Sequence, residues 1–231
     1  MTRSPNVSYN LGLSIIGLAI ALLLGSLNFP DNGSVGTDGK LLVGGALIAS
    51  CCFGLSIALH PGWYRRRRGL NQHASEDEGI RRRMKGHHPD CTAFEKHRVL
   101  IGERAVCAGC LGIMIGSILG IVLMTVYIVV VHSSLKGSAQ LLVSIGSVAI
   151  VLTYLEVAYP KRNVTLHVTL SAFLIMGFLL VAVGMLEATG SPIVGLLGVL
   201  LGFLWTNTRI SLSNWRHALL CRKCGETCKS Y

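Results

Sequence analysis

The stretch VTLHVTLSAFLIMGFLLVAVGML, residues 164–186, decides the fold. It holds a single ionisable side chain, His167, and no proline. As a helix it is long enough to cross a hydrocarbon core of about 30 Å, which takes roughly 20 residues. Five more stretches read the same way, near residues 11–27, 41–59, 111–131, 141–158 and 193–212. Helix is required, because open strands would leave backbone amides unpaired in lipid and the dyad alternation of a membrane barrel is missing. The composition agrees. Hydrophobic residues make up 51% of the chain and charged residues 14%, against about 25% charged in an ordinary soluble domain. Soluble enzymes, coiled coils and disordered chains are thereby excluded as classes. Arg3 precedes the first span as it would in a secretory signal, but no small-residue cleavage site stands out behind it, so the span is expected to persist.

The distribution of positive charge predicts orientation. Nineteen of the 21 Lys and Arg residues fall at the N-terminus, in the long loop after the second span, in the turn after the fourth span and in the tail. The opposite side receives Lys40 and Lys136. A cell-membrane protein with both termini and the long loop in the cytoplasm is expected. The basic run Arg65–Arg68 then reads as a topology determinant that contacts anionic membrane lipids. Nucleic acid is not an expected partner, since no aromatic platform or recognised fold surrounds that run.

Small residues recur four apart: Gly112, Gly116 and Gly120 on the third span, Gly198 and Gly202 on the sixth, and Ala46, Ser50, Gly54 and Ala58 on the second. Such stripes let helix backbones approach closely, so packing is expected of them rather than a pore lining.

The chain has eight cysteines. Cys107-Ala-Gly-Cys110 and Cys221-Arg-Lys-Cys224 each place two residues between sulfurs, the spacing at which a tight turn brings both thiolates to one ion. Four spans lie between the pairs, and an even number returns the chain to the same side. A reducing cytoplasm disfavours structural disulfides there. A zinc site joining the start of the third span to the end of the sixth is expected, with iron or an iron–sulfur cluster as the alternative ion. His87, His88, Cys91, His97 and Cys228 are further metal candidates that would complete this site, support it or build a second one. Cys107–Cys110 also precedes a helix, as a redox-active pair does, although no βαβ context accompanies it. Cys51 and Cys52, in mid-span, read as small apolar fillers.

The string Gly86-His87-His88-Pro89-Asp90-Cys91, followed by Phe94, His97, Gly102 and Cys107-Ala108-Gly109-Cys110-Leu111-Gly112, resembles a family of uncharacterised archaeal multi-pass membrane proteins that closes with Cys-x-x-Cys after the last span. The resemblance spans residues 86–228. It implies a polytopic membrane protein with a zinc motif and assigns no catalytic role to any residue.

Ionisable residues within spans are functional candidates by default. Glu156, His167, Asn207 and Arg209 are predicted at similar depth beneath the metal, either as an interfacial belt with a Glu156–Arg209 pair or as a polar cavity. The architecture expected is an all-α, polytopic bundle of six transmembrane helices with a small cytoplasmic metal-binding cap. Its parts are a two-span N-terminal hairpin (1–60), a basic His/Cys-rich loop (61–110), a four-span bundle (111–212) and a Cys-rich tail (213–231). The function expected is a scaffold or accessory subunit whose zinc-stapled cap docks a protein partner on the cytoplasmic face. Alternatives are a solute or ion transporter or channel working near Glu156, His167 and Arg209, and a membrane-surface metalloenzyme with an open metal site. No enzyme motif is present, so catalysis is the less favoured class.

Overall fold

The computed structural model describes residues 5–27, 35–59, 84–85, 98–101, 104–131, 135–159 and 163–221 of the chain. Among the described residues six α-helices form: α1 (Pro5–Ser26), α2 (Thr37–Leu59), α3 (Ala108–Val129), α4 (Ala139–Ala158), α5 (Val164–Thr189) and α6 (Pro192–Cys221). Each is long and apolar enough to cross a membrane. Their outward faces are apolar, with Ile16, Phe53, Val122, Val148 and Leu200 all exposed. Such faces suit lipid and not water, and the chain is a multi-pass membrane protein.

α5 is the hub. Two thirds of its apolar window, 67%, is buried inside the protein, against 22% for α2. The helix begins at Asn163, whose side-chain oxygen accepts from the amides of Thr165 (3.0 Å) and Leu166 (3.4 Å), satisfying donors that no helical carbonyl reaches. It ends at Gly190, whose φ of 67° is left-handed and suits glycine. α6 starts two residues later.

The stripes on α3 and α6 pack as expected, whereas Ser50, Gly54 and Ala58 of the α2 stripe line a cavity. A Cβ at Gly112 would strike the Val168 carbonyl and Ser171, and one at Gly116 would meet Ala172, so α3 lies directly against α5. Gly198 abuts Ala182, Gly202 abuts Phe178, and Gly146 and Gly177 face each other between α4 and α5. On α2, Gly54 faces Ser117 of α3. Contacts this close replace the hydrophobic effect, which does not operate between helices already bathed in lipid.

Several expectations need correction. α1 and α2 do not form a packed hairpin: α1 packs on α6, α4 and α5, whereas α2 packs on α3, α6 and α5. The two helices flank the bundle and are not a unit of their own. The tail boundary at 213 is also displaced, because α6 runs unbroken to Cys221. The all-α bundle itself stands, and a small sheet adjoins it. Strands β1 (Met84–Lys85), β2 (Arg98–Ile101) and β3 (Arg104–Cys107) form a sheet in the order β1-β3-β2, with β2 antiparallel and β1 parallel to β3. β3 runs straight into α3, with Cys107 at the junction.

Candidate functional site

Cys107 is the N-cap of α3, extended at φ −63°, ψ 126°, and Cys110 lies within the first turn. Both are reduced thiols. Cys107 is 7% exposed. Between them sits Gly109, and what surrounds it defines the site. A Cβ there would be 3.4 Å from His167 Nε2, 3.9 Å from Cys107 Sγ and 4.0 Å from Arg209 Nη2. A thiol from α3, an imidazole from α5 and a guanidinium from α6 thus converge on one bare backbone position.

Each group is held from behind. Both oxygens of Glu156 reach His167 Nδ1, at 2.9 and 3.0 Å, so Nε2 is the nitrogen left facing Gly109 and the thiols. Arg209 is 6% exposed, donates from Nη2 to Ser171 Oγ, and lies within electrostatic reach of Glu156 and both thiols. Ser171 in turn donates to the His167 carbonyl at 2.6 Å. The predicted Glu156–Arg209 pair is therefore replaced by Glu156–His167. The physical reason is register: residues 156 and 167 face each other across the short α4–α5 connection, while Arg209 is aimed at the next turn of α5.

A cavity of about 440 Å³ opens in front of this cluster, in the size range of small-molecule sites. Cys107, Cys110, His167 and Arg209 line one end, and Ile113, Ile175, Phe178 and Val199 line the interior. At its rim stand Phe53 and Ile57 of α2 and Phe203, Asn207 and Ile210 of α6, all exposed. The opening is consequently lateral, between α2 and α6, and faces the surroundings of the bundle. Asn207 belongs to this rim, not to the buried cluster. Cys51 lines the cavity and packs toward Gly120, in keeping with an apolar filler.

Among the predicted metal candidates, the structure unites Cys107 and Cys110. His87, His88, Cys91, His97, Cys224 and Cys228 lie outside the described residues. The backbone of Cys221 ends α6, 12 residues beyond Arg209, which is roughly 18 Å farther along the helix axis. Among the described residues no group of three or more His, Cys, Asp or Glu side chains is set to hold a metal ion.

Two polar groups were not anticipated. At the opposite end of the bundle, Glu187 is buried on α5, where it accepts from Tyr127 Oη at 2.6 Å and the Leu135 amide at 2.9 Å. Lys40 Nζ lies 3.6 Å from it, donates to the Val131 carbonyl at 3.0 Å and stands over the Tyr127 ring. The second group ties α1 to α4 and α6. Ser14 and Thr208 hydroxyls are 2.6 Å apart, Tyr154 Oη donates to the Trp205 carbonyl at 3.0 Å, and Asn10 donates to Ser211 at 3.0 Å. Between the two ends, α5 residues 181–188 form a continuous buried run.

Fold and site together define a class: a multi-pass membrane protein, with six long apolar helices among the described residues and a dithiol at the head of a laterally open cavity. No protein family, no curated protein and no solved structure matches this chain.

Proposed function

We propose that the protein is a membrane dithiol–disulfide exchanger, oriented with its basic end in the cytoplasm, whose working group is the Cys107–Cys110 pair. The placement of two reduced thiols at the N-cap and in the first turn of α3, beside His167 and Arg209, carries this reading. In the exchange, one sulfur, as thiolate, attacks a substrate disulfide and forms a mixed disulfide. The second sulfur then attacks its neighbour, closing a Cys107–Cys110 disulfide, and the substrate leaves as two thiols carrying the pair's two protons. The helix N-terminus and the Arg209 guanidinium are the positive partners that a transient thiolate requires, and His167, fixed through Nδ1, offers Nε2 for proton transfer.

The competing reading is the zinc-stapled scaffold, favoured by the paired sulfurs of Cys107 and Cys110. It needs further donors, from the tail or from the loop, to close the coordination shell. One experiment separates the two. The purified protein is equilibrated in glutathione buffers of graded potential, its thiols are tagged with a maleimide of large mass, and its zinc is counted. A reversible two-electron transition assigned to Cys107 and Cys110, lost in Cys107→Ser, supports exchange. One tightly held zinc per chain, with the pair refractory to oxidation, overturns it in favour of the staple.

A further inference from the structure

The cavity has a feature that the dithiol does not use. Arg209 is buried on α6, yet among the described residues its one hydrogen bond runs from Nη2 to Ser171. Its Nε is buried with no partner. Glu156, the nearest acid in electrostatic terms, spends both oxygens on His167. A buried guanidinium with unused donors in a low-dielectric site attracts an anion strongly, and its planar fork matches carboxylate and phosphate oxygens. The rest of the cavity is apolar, and its mouth between α2 and α6 is flanked by Phe53, Ile57, Phe203 and Ile210, side chains that belong against acyl chains.

We infer that the cavity is a binding site for a single-chain amphiphile with an anionic head, carboxylate or phosphate, that comes in sideways from the bilayer and seats its head on Arg209. The tail lies along Ile113, Ile175 and Phe178. The charge complementarity selects the head, and the lateral mouth selects a molecule already dissolved in the membrane. A bound head also lies at the thiol pair, so any chemistry there acts on a lipid-borne substrate. The inference does not depend on disulfide exchange, since Arg209 and the apolar walls suffice for binding.

The test uses delipidated full-length protein in neutral detergent, with radiolabelled palmitate, hexadecyl phosphate and hexadecanol as probes. Saturable binding is expected for at least one of the two anions, at least tenfold tighter than for the alcohol, and the preferred anion identifies the head. Acetate and inorganic phosphate, which lack the tail, are expected to compete at concentrations at least a hundredfold higher than the amphiphile. Arg209→Met should weaken anion binding at least tenfold and Arg209→Lys should restore part of it. Ile57→Trp, which narrows the mouth without touching Arg209, should also weaken binding, and it serves as the decisive variant if Arg209→Met does not fold. Cys107→Ser/Cys110→Ser, which removes the exchange reaction but leaves Arg209 in place, should keep the preference for the anion over hexadecanol even though its affinity shifts, which separates this site from the exchange reaction. Equal affinity for hexadecanol, equal competition by free phosphate, or binding unaffected by both Arg209→Met and Ile57→Trp would overturn the inference.

Discussion

The buried pair of Lys40 and Glu187 is where the packing makes its sharpest thermodynamic claim. Glu187 receives the Tyr127 hydroxyl and the Leu135 amide, and Lys40 is held between that carboxylate and the Val131 carbonyl. Removing one charge strands the other in a site nearly closed to water, which costs about 3–5 kcal/mol. The Val131 carbonyl still satisfies part of Lys40, so Glu187→Gln should lie near the lower end, about 3 kcal/mol. Lys40→Met strands a carboxylate that keeps two neutral donors, and about 3 kcal/mol is expected again. In the double variant neither charge remains, and the glutamine oxygen still accepts from the Leu135 amide or Tyr127. Its loss should be about 3 kcal/mol instead of the additive value of about 6, a coupling of about 3 kcal/mol. Unfolding by sodium dodecyl sulfate in mixed micelles, followed by far-UV circular dichroism, measures all four corners of the cycle. Additive losses would refute the reasoning, because they would mean that the two side chains do not neutralise each other.

Three further outcomes follow from the same contacts. Gly112→Val drives a Cβ into the backbone carbonyl of Val168 and should abolish recovery of monodisperse protein, whereas Gly45→Ala, with nothing within 4 Å, should leave size-exclusion behaviour unchanged. Gly109→Ala meets its neighbours at ordinary contact distance and should fold, while Gly109→Leu should displace His167 or Arg209 and change the rate of maleimide alkylation of Cys110 several-fold. Asn163→Ala removes the cap of α5 and should cost about 1 kcal/mol in the same unfolding assay, with Asn163→Asp close to wild type.

The six helices are legible in the sequence because lipid imposes a length and a polarity on each. Their ends are less so, and for one reason. A boundary drawn at a charged residue assumes that the charge wants water, which excluded Lys40 and Glu187 by one residue each. Across the bundle the two are partners, and partnership is a tertiary fact. A signal did exist. Continuing the Gly112, Gly116, Gly120 stripe along α3 leads to Tyr127 on the same face, a polar hydroxyl aimed inward. Likewise Arg209 follows Gly198 and Gly202 at helical spacing, so its face is the one that packs on α5. That phase argues for Ser171 as its neighbour and against the Glu156 pairing. The cavity had no such signal, since it is lined from α2, α3, α5 and α6 together and arises only from how they pack.

The six residues Cys107-Ala-Gly-Cys-Leu-Gly112 show how close packing and a reactive site are built from one stretch. Gly112 lets α3 touch the backbone of α5, and that approach fixes the distance between the first turns of the two helices. Gly109, one turn earlier, then finds His167 and Arg209 directly opposite. With any larger side chain at 112 the helices would separate, and the imidazole and guanidinium would no longer reach the thiols. A bulkier residue at 109 would leave the helices in contact but fill the space where these groups meet. One glycine is thus needed for the fold and the other for the site, and substitutions at the two positions should separate loss of structure from loss of reactivity.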